Sequence, residues 1–195
     1  VMQAATYLIR DDASTFHTYY MDVATGAPRY GNTQQGYADD SCWSRGQAWG
    51  IYGFLLSYIY TGDETMIALS KRLANYFLNR LPEDYVCHWD LALVGTDALR
   101  DSSSAAIAVC GLLELVKHLP VTDPDRERYL EWAKGIMSSL TKHYLMGKEE
   151  KGNGLLKHSV YHLASNKGVD ECASWGDYFY VEALVRFTQS WKLYW

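Results

Sequence analysis

The residues able to do chemistry in this 195-residue chain gather in three short segments, DDSCWSRGQAW (39–49), RDSSSAA (100–106) and ASWGDYF (173–179). They set carboxylates, hydroxyls and arginines beside tryptophan and tyrosine. Tyrosine and tryptophan occur 16 and 7 times against 5 phenylalanines. Rings with an apolar face and a polar tip suit wet clefts, where they serve as platforms for sugars, although they also fill ordinary cores once the tip finds a partner. If these segments formed a complete active site, Asp101 and Asp177 would be the carboxylates available for proton transfer.

Other chemistries do not fit the pattern. Ser102, Ser103 and Ser104 lack the Gly-x-Ser-x-Gly elbow of a hydrolase nucleophile, so a small-residue helix entry is expected there. Gly26, Gly31 and Gly36 precede no Gly-Lys-Ser/Thr and form no phosphate loop. Cys42, Cys87, Cys110 and Cys172 are widely spaced, with no histidine at ligand spacing, which indicates neither a zinc site nor a disulfide framework, and no cofactor is expected. A net charge of −5 without a Lys/Arg stripe argues against a nucleic-acid partner. No run of about 18 apolar residues marks a membrane span. Reduced thiols point to the cytoplasm, while a signal upstream of Val1 would direct the protein to the periplasm.

Apolar periodicity places the three segments at helix entries. Residues 42–61 read as a helix capped by Asp40 or Ser41, ended by Gly62, and apolar nearly all round, hence buried. A one-sided helix follows from Asp63, with Met66, Leu69, Leu73, Tyr76 and Phe77 opposite Lys71, Arg72, Asn75 and Asn79. The alternation then repeats: Asp101 caps a buried helix over 102–119, a more polar helix opens at Asp123 and Pro124, and a third buried helix begins near Ser174. Residues 1–10 read as the end of an earlier outer helix. Inner helices thus begin about 60 to 70 residues apart, the period of stacked helical hairpins.

Long segments, 12–40, 82–100 and 146–173, separate these helices. Loops longer than ~15 residues in a compact domain are functional or disordered, and the Tyr, Trp and His carried here argue for order. Thr15–Asp22 and Leu156–Leu163 are candidates for short β-hairpins. Each long segment feeds the N-terminus of an inner helix, so the three chemical segments should meet at one mouth. Three helix N-termini there would offer unpaired N–H groups and positive dipole ends to a carboxylate or sulfate. Arg45, one turn into a buried helix, needs a counter-ion, for which Asp39 and Asp40 are nearest in sequence. Trp43 and Trp49, six residues apart, cannot both stack on one sugar, so one belongs to the core.

In order and spacing, HTYYMD (17–22), QQGYADDSCWSRGQAWGIYGF (34–54), RDSSSAAIA (100–108) and WGDYFYVEAL (175–184) resemble glycoside hydrolase family 88, the unsaturated glucuronyl hydrolases, over essentially the whole chain. WSRGQAW (43–49) is the most specific piece. The related family 105 rhamnogalacturonyl hydrolases usually carry RGNGW there, so Gln47 and Ala48 favour the glucuronyl branch. The resemblance implies an all-α (α/α)6 toroid of six hairpins. Residues 1–195, as one domain, would supply its C-terminal half together with long loops.

The activity implied is removal of a terminal 4,5-unsaturated uronate from lyase-generated oligosaccharides, by protonation and hydration of the C4=C5 enol ether. Carboxylate spacing therefore carries no stereochemical message. The family's two catalytic aspartates belong to the other half, and no segment here matches their surroundings, so the chain alone should be inactive. By motif, His17, Gln35, Arg45 and Trp49 correspond to residues that bind or orient the unsaturated sugar. Arg45 would offer a planar fork, Trp49 a flat face, and His17 and Gln35 hydrogen bonds. More loosely, His158, Trp175, Tyr178 and the tail Ser190–Trp195 would flank the neighbouring sugar.

The partners implied are the oligosaccharide and either the N-terminal half or a second copy, covering exposed inner-helix edges. Two competing readings stand: a non-catalytic helical module binding an acidic glycan or a protein through the same loops, and a family 105 relative acting on rhamnogalacturonan products.

Overall fold

The computed structural model describes residues 1–193. After α1 (Met2–Tyr7) come the strands β1 (Thr18–Met21) and β2 (Pro28–Asn32). Helices α2 (Ser44–Thr61) and α3 (Glu64–Leu78) form one hairpin, and α4 (Ser102–His118) and α5 (Pro124–Ser139) a second. Strands β3 (Ser159–His162) and β4 (Lys167–Glu171) precede α6 (Ser174–Thr188). Among the described residues no helix is long and apolar enough to cross a membrane.

Helices α2, α4 and α6 make the inner layer, with α4 packed between the other two, while α3 and α5 cover α2 and α4 from outside. Every residue of α4 from Ser102 to Leu112 is buried. Its small side chains explain how: neighbours approach its backbone closely on several sides. At Gly111 an added Cβ would lie 2.9 Å from Ile51 Cγ2 and 3.2 Å from the Tyr52 backbone nitrogen. Packed interiors do not absorb such an atom without displacement, so the α2–α4 crossing depends on glycine. Helix α3 buries Met66, Ile67, Ser70, Leu73, Ala74, Phe77 and Leu78 along the one-sided stripe read from its periodicity.

The helix ends follow the expected chemistry in four places. Asp63, Asp101 and Asp123 each accept from backbone N–H groups of the turn they open. Gly62 closes α2 with φ of 70°, the left-handed conformation that favours glycine. The entry of α2 differs. The helix starts at Ser44 with Trp43 at its N-cap and no side-chain cap. Asp40 is exposed, and Ser41 Oγ bonds the buried carboxylate of Asp90 at 2.6 Å. The long-range pull of Asp90, which also bridges to Trp43, keeps residues 41–43 extended and delays the helix. Both loop strands form as read, but each pairs with a strand beyond its expected segment, β1 with β2 and β3 with β4.

A charge cluster ties the inner layer together away from its mouth. Arg186 in α6 donates through Nε to Glu182 Oε1 at 2.9 Å, pairs through Nη1 with Glu114 of α4, and reaches the Tyr52 hydroxyl of α2 at 2.5 Å. Burial opposes the charge on Glu114, yet Arg186 and Lys117 hold its carboxyl below the usual range. The flanks of the inner layer remain apolar and open: Tyr178, Val181, Leu184 and Phe187 are exposed on α6, and Trp49 on α2.

Candidate active site

The N-termini of the three inner helices meet, as the loop pattern requires. Ser44 Oγ lies 2.9 Å from Ser104 Oγ, Arg45 pairs with Asp101 at 2.8 Å, and the Trp175 indole donates to Ser103 Oγ at 3.0 Å. The meeting is already satisfied internally. Asp101, fully buried, accepts the backbone N–H groups of Ser103 and Ser104 through Oδ1, and its Oδ2 takes Arg45 and the Ser104 hydroxyl. The Ser102 N–H is taken by the His158 carbonyl. The α4 terminus therefore offers no open anion site. As a fallback catalytic carboxylate, Asp101 is corrected to a cap and counter-ion with its oxygens engaged. Asp177, the other fallback, accepts from the Leu156 N–H at 2.9 Å and so fastens the segment before β3 to α6.

Arg45 pairs with Asp101, far away in sequence, rather than with Asp39 or Asp40, both of which are exposed. Its fork, expected to face a ligand, is largely occupied by protein: Nη1 also donates to the Val160 carbonyl at 2.8 Å and Nη2 to the Tyr161 carbonyl at 3.0 Å. The same Tyr161 carbonyl accepts Gln35 Nε2 at 2.9 Å. One backbone oxygen of β3 thus joins two of the expected sugar-binding side chains, and Arg45 acts as a charge held just beneath the surface.

His17 completes this group. Its Nδ1 accepts the Gln35 backbone N–H at 3.2 Å, which puts the proton of the neutral ring on Nε2. Burial, with Arg45 and His162 adding to it, lowers the His17 pKa, so the ring is neutral at pH 7. The 33–42 loop that carries Gln35 is anchored by Asp90, which accepts the Tyr37 and Cys42 N–H groups. Gly36 permits that anchor: a Cβ there would stand 2.5 Å from Asp90 Oδ2.

Beside His17 runs an open groove of about 550 Å³, lined by Ile9, Phe16, Trp43, Trp49, Gly50 and Phe54 among others, a size ordinary for small-molecule sites. Trp49 is 37 % exposed on it and rests edge-on against Phe179, centroids 5.1 Å apart. Trp43 is the core member of the tryptophan pair, at 6 % exposure. Trp175 lies inward, against Arg45 and Tyr161.

Three expected neighbours are placed elsewhere. His158 faces a different groove with Asp84, Arg100 and Tyr144, where its Nδ1 meets Asp170 Oδ1 at 2.6 Å. Tyr178 is on the open flank of α6. In the tail, Trp191 lies over Arg186, in the last turn of α6; Tyr194 and Trp195 fall outside the described residues. Tyr161, Asp90 and the contacts of Trp43 were not legible beforehand, because each works through a partner distant in sequence. Among the described residues no three His, Cys, Asp or Glu side chains gather as a metal site would require.

Inner helices backed by outer ones, with an aromatic groove running from His17 along α2 beside the entry of that helix, define an α/α toroid-type protein with a candidate carbohydrate site. No family model matches the chain. It is 52% identical over 193 residues to the unsaturated chondroitin disaccharide hydrolase of Streptococcus pneumoniae (strain ATCC BAA-255 / R6), covering 98% of this chain and 49% of that protein. The fold matches the crystal structure of the unsaturated glucuronyl hydrolase from Streptococcus agalactiae with a TM-score of 0.93 at 51% identity, over 98% of this chain and 49% of that one. A mutant of the same enzyme complexed with dGlcA-GalNAc6S matches with a TM-score of 0.87 at 51% identity, over 96% and 50%. The chain belongs to the unsaturated glucuronyl hydrolases, glycoside hydrolase family 88, and matches their C-terminal half. It spans about half the length of the curated relatives it matches.

Proposed function

We propose that this chain is the C-terminal half of a hydrolase that removes a terminal 4,5-unsaturated glucuronic acid from lyase-generated oligosaccharides. The observation that carries the reading is the linked group of His17, Gln35 and Arg45 beside the groove of Trp49. The relative complexed with dGlcA-GalNAc6S makes an unsaturated disaccharide of that kind the first substrate to test.

In this reading Arg45, its charge already paired with Asp101, holds the Tyr161 carbonyl and through it Gln35 in place beside the sugar. Trp49 stacks on the ring. The neutral His17 donates from Nε2 to a sugar hydroxyl or to the attacking water. The acid that protonates the enol ether comes from the N-terminal half, water adds at C5, and the hemiketal opens to release the next sugar. The same half covers the apolar flanks of α2 and α6 and closes the ring.

Trp49 supplies the test because it lines the groove beside His17, and a melting measurement separates lost sugar binding from lost packing. In the full-length protein Trp49→Ala should lower kcat/KM on the unsaturated disaccharide by about tenfold or more, the loss of about 1–2 kcal/mol of stacking. An unchanged kcat/KM in a variant that melts like the wild type would place the sugar elsewhere.

A further inference from the structure

Trp43 carries two local costs that the fold alone does not explain. It occupies the N-cap of α2 without supplying a side-chain hydrogen bond, where Ser, Thr, Asp or Asn would stabilise the helix. Its indole Nε1 is buried and has no hydrogen-bond partner among the described residues, unlike that of Trp175. What the residue does supply is a flat face. The His17 ring centroid lies 4.6 Å from that of Trp43 at 53°, and the Arg45 Cζ lies 4.5 Å from the Trp43 ring. Gly46, one turn on, makes room for the ring: an added Cβ would stand 3.0 Å from Trp43 Cε3.

We propose that Trp43 is a positioning residue of this site, its indole face holding the His17 imidazole and the Arg45 guanidinium in fixed register so that His17 Nε2 meets the sugar while Arg45 keeps the Tyr161 carbonyl and Gln35 in place. Aromatic faces hold cations and tilted rings by their quadrupole, and a large flat ring also keeps water from both groups. That dryness disfavours protonation of His17, which is further opposed by Arg45 and His162; the Gln35 N–H on Nδ1 acts in the same sense. The role in sugar binding rests on the function proposed above, whereas the register of the two side chains does not.

The test uses the full-length protein with Trp43→Leu and Trp43→Phe, following the imidazole titration of His17 by NMR, assigned through its loss in His17→Gln. Kcat/KM is measured across pH on an unsaturated chondroitin disaccharide. In the leucine variant the His17 midpoint should move from its wild-type position, the acidic limb of the pH profile should move with it, and kcat/KM should fall roughly ten- to a hundredfold. Phenylalanine, which keeps a face, should restore most of that loss and return the titration. A leucine variant whose His17 titration and acidic limb stay in place would overturn the proposal, as would a phenylalanine variant that loses as much as leucine. Should the leucine variant fail to fold, the wild type still decides: His17 ring protons are expected upfield through the indole ring current, and unshifted positions would refute the contact. An inactive wild type would remove the functional reading while the NMR arm still judges Trp43.

Discussion

Replacing Arg186 by methionine is expected to lower the melting temperature by roughly 6–20 °C, from a loss of about 3–5 kcal/mol when a buried partner is removed from its counter-charges. The guanidinium and the carboxylates of Glu114 and Glu182 are almost wholly buried, at 4 %, 1 % and 1 % side-chain exposure. Methionine fills much of the volume but leaves two carboxylates facing one another with Lys117 and His118 as the remaining aid to Glu114. The pH dependence has a definite sign. In the variant, burial without Arg186 raises the folded-state pKa of Glu114 above the unfolded value, so the folded state gains a proton and the deficit shrinks as pH falls. Thermal unfolding of wild type and variant at about pH 5 and pH 8 checks both statements. A deficit under 1 kcal/mol, or one that grows toward acid, would show that Arg186 is not the counter-ion of this cluster.

Asp101→Asn should be nearly as damaging, with a loss of about 3–5 kcal/mol, although the shape of the side chain barely changes. The distinction from ordinary capping is quantitative. Loss of an N-cap alone costs about 1 kcal/mol, and asparagine can still accept from the Ser103 and Ser104 N–H groups. The larger effect comes from Arg45, whose buried charge pairs with Asp101 Oδ2 at 2.8 Å and would then stand without a carboxylate. Because Arg45 also holds the Val160 and Tyr161 carbonyls, the variant should lose activity beyond its loss of stability. Adding Arg45→Met to Asp101→Asn should cost little more stability than Asp101→Asn alone, since the two side chains act as one unit. Strict additivity of the two changes would contradict the pairing.

The features legible in the sequence were those set by neighbours in the chain. Asp63, Asp101 and Asp123 could be read as caps because the N–H groups they accept lie two or three residues on. The order of buried and outer helices followed from periodicity, and the common mouth from the way each long loop feeds an inner helix. Contacts between distant residues broke the local reading. Asp90 takes Ser41 from its expected capping role and Cys42 out of helix, and Arg45 finds Asp101 instead of its near neighbours. The His158 carbonyl fills the N–H that an anion was expected to take. His158 itself was grouped with the sugar site by looser resemblance, and the turn of the chain before β3 sends its ring to another groove with Asp170. Of the residues expected from the resemblance to bind the sugar, those carried by the specific segments around 17–22 and 34–54 are the ones the fold brings together.

The most direct test of the central claim follows the ultraviolet absorbance of the enol ether in an unsaturated chondroitin disaccharide, incubated with the full-length protein and, in parallel, with the 195-residue chain. The account predicts that the full-length protein abolishes the absorbance while the isolated chain, holding half of the cleft without the proton donor, leaves it unchanged. Absorbance untouched by the full-length protein would contradict the assigned activity, and turnover by the chain alone would place the acid within these residues, with Asp177 the first carboxylate to mutate.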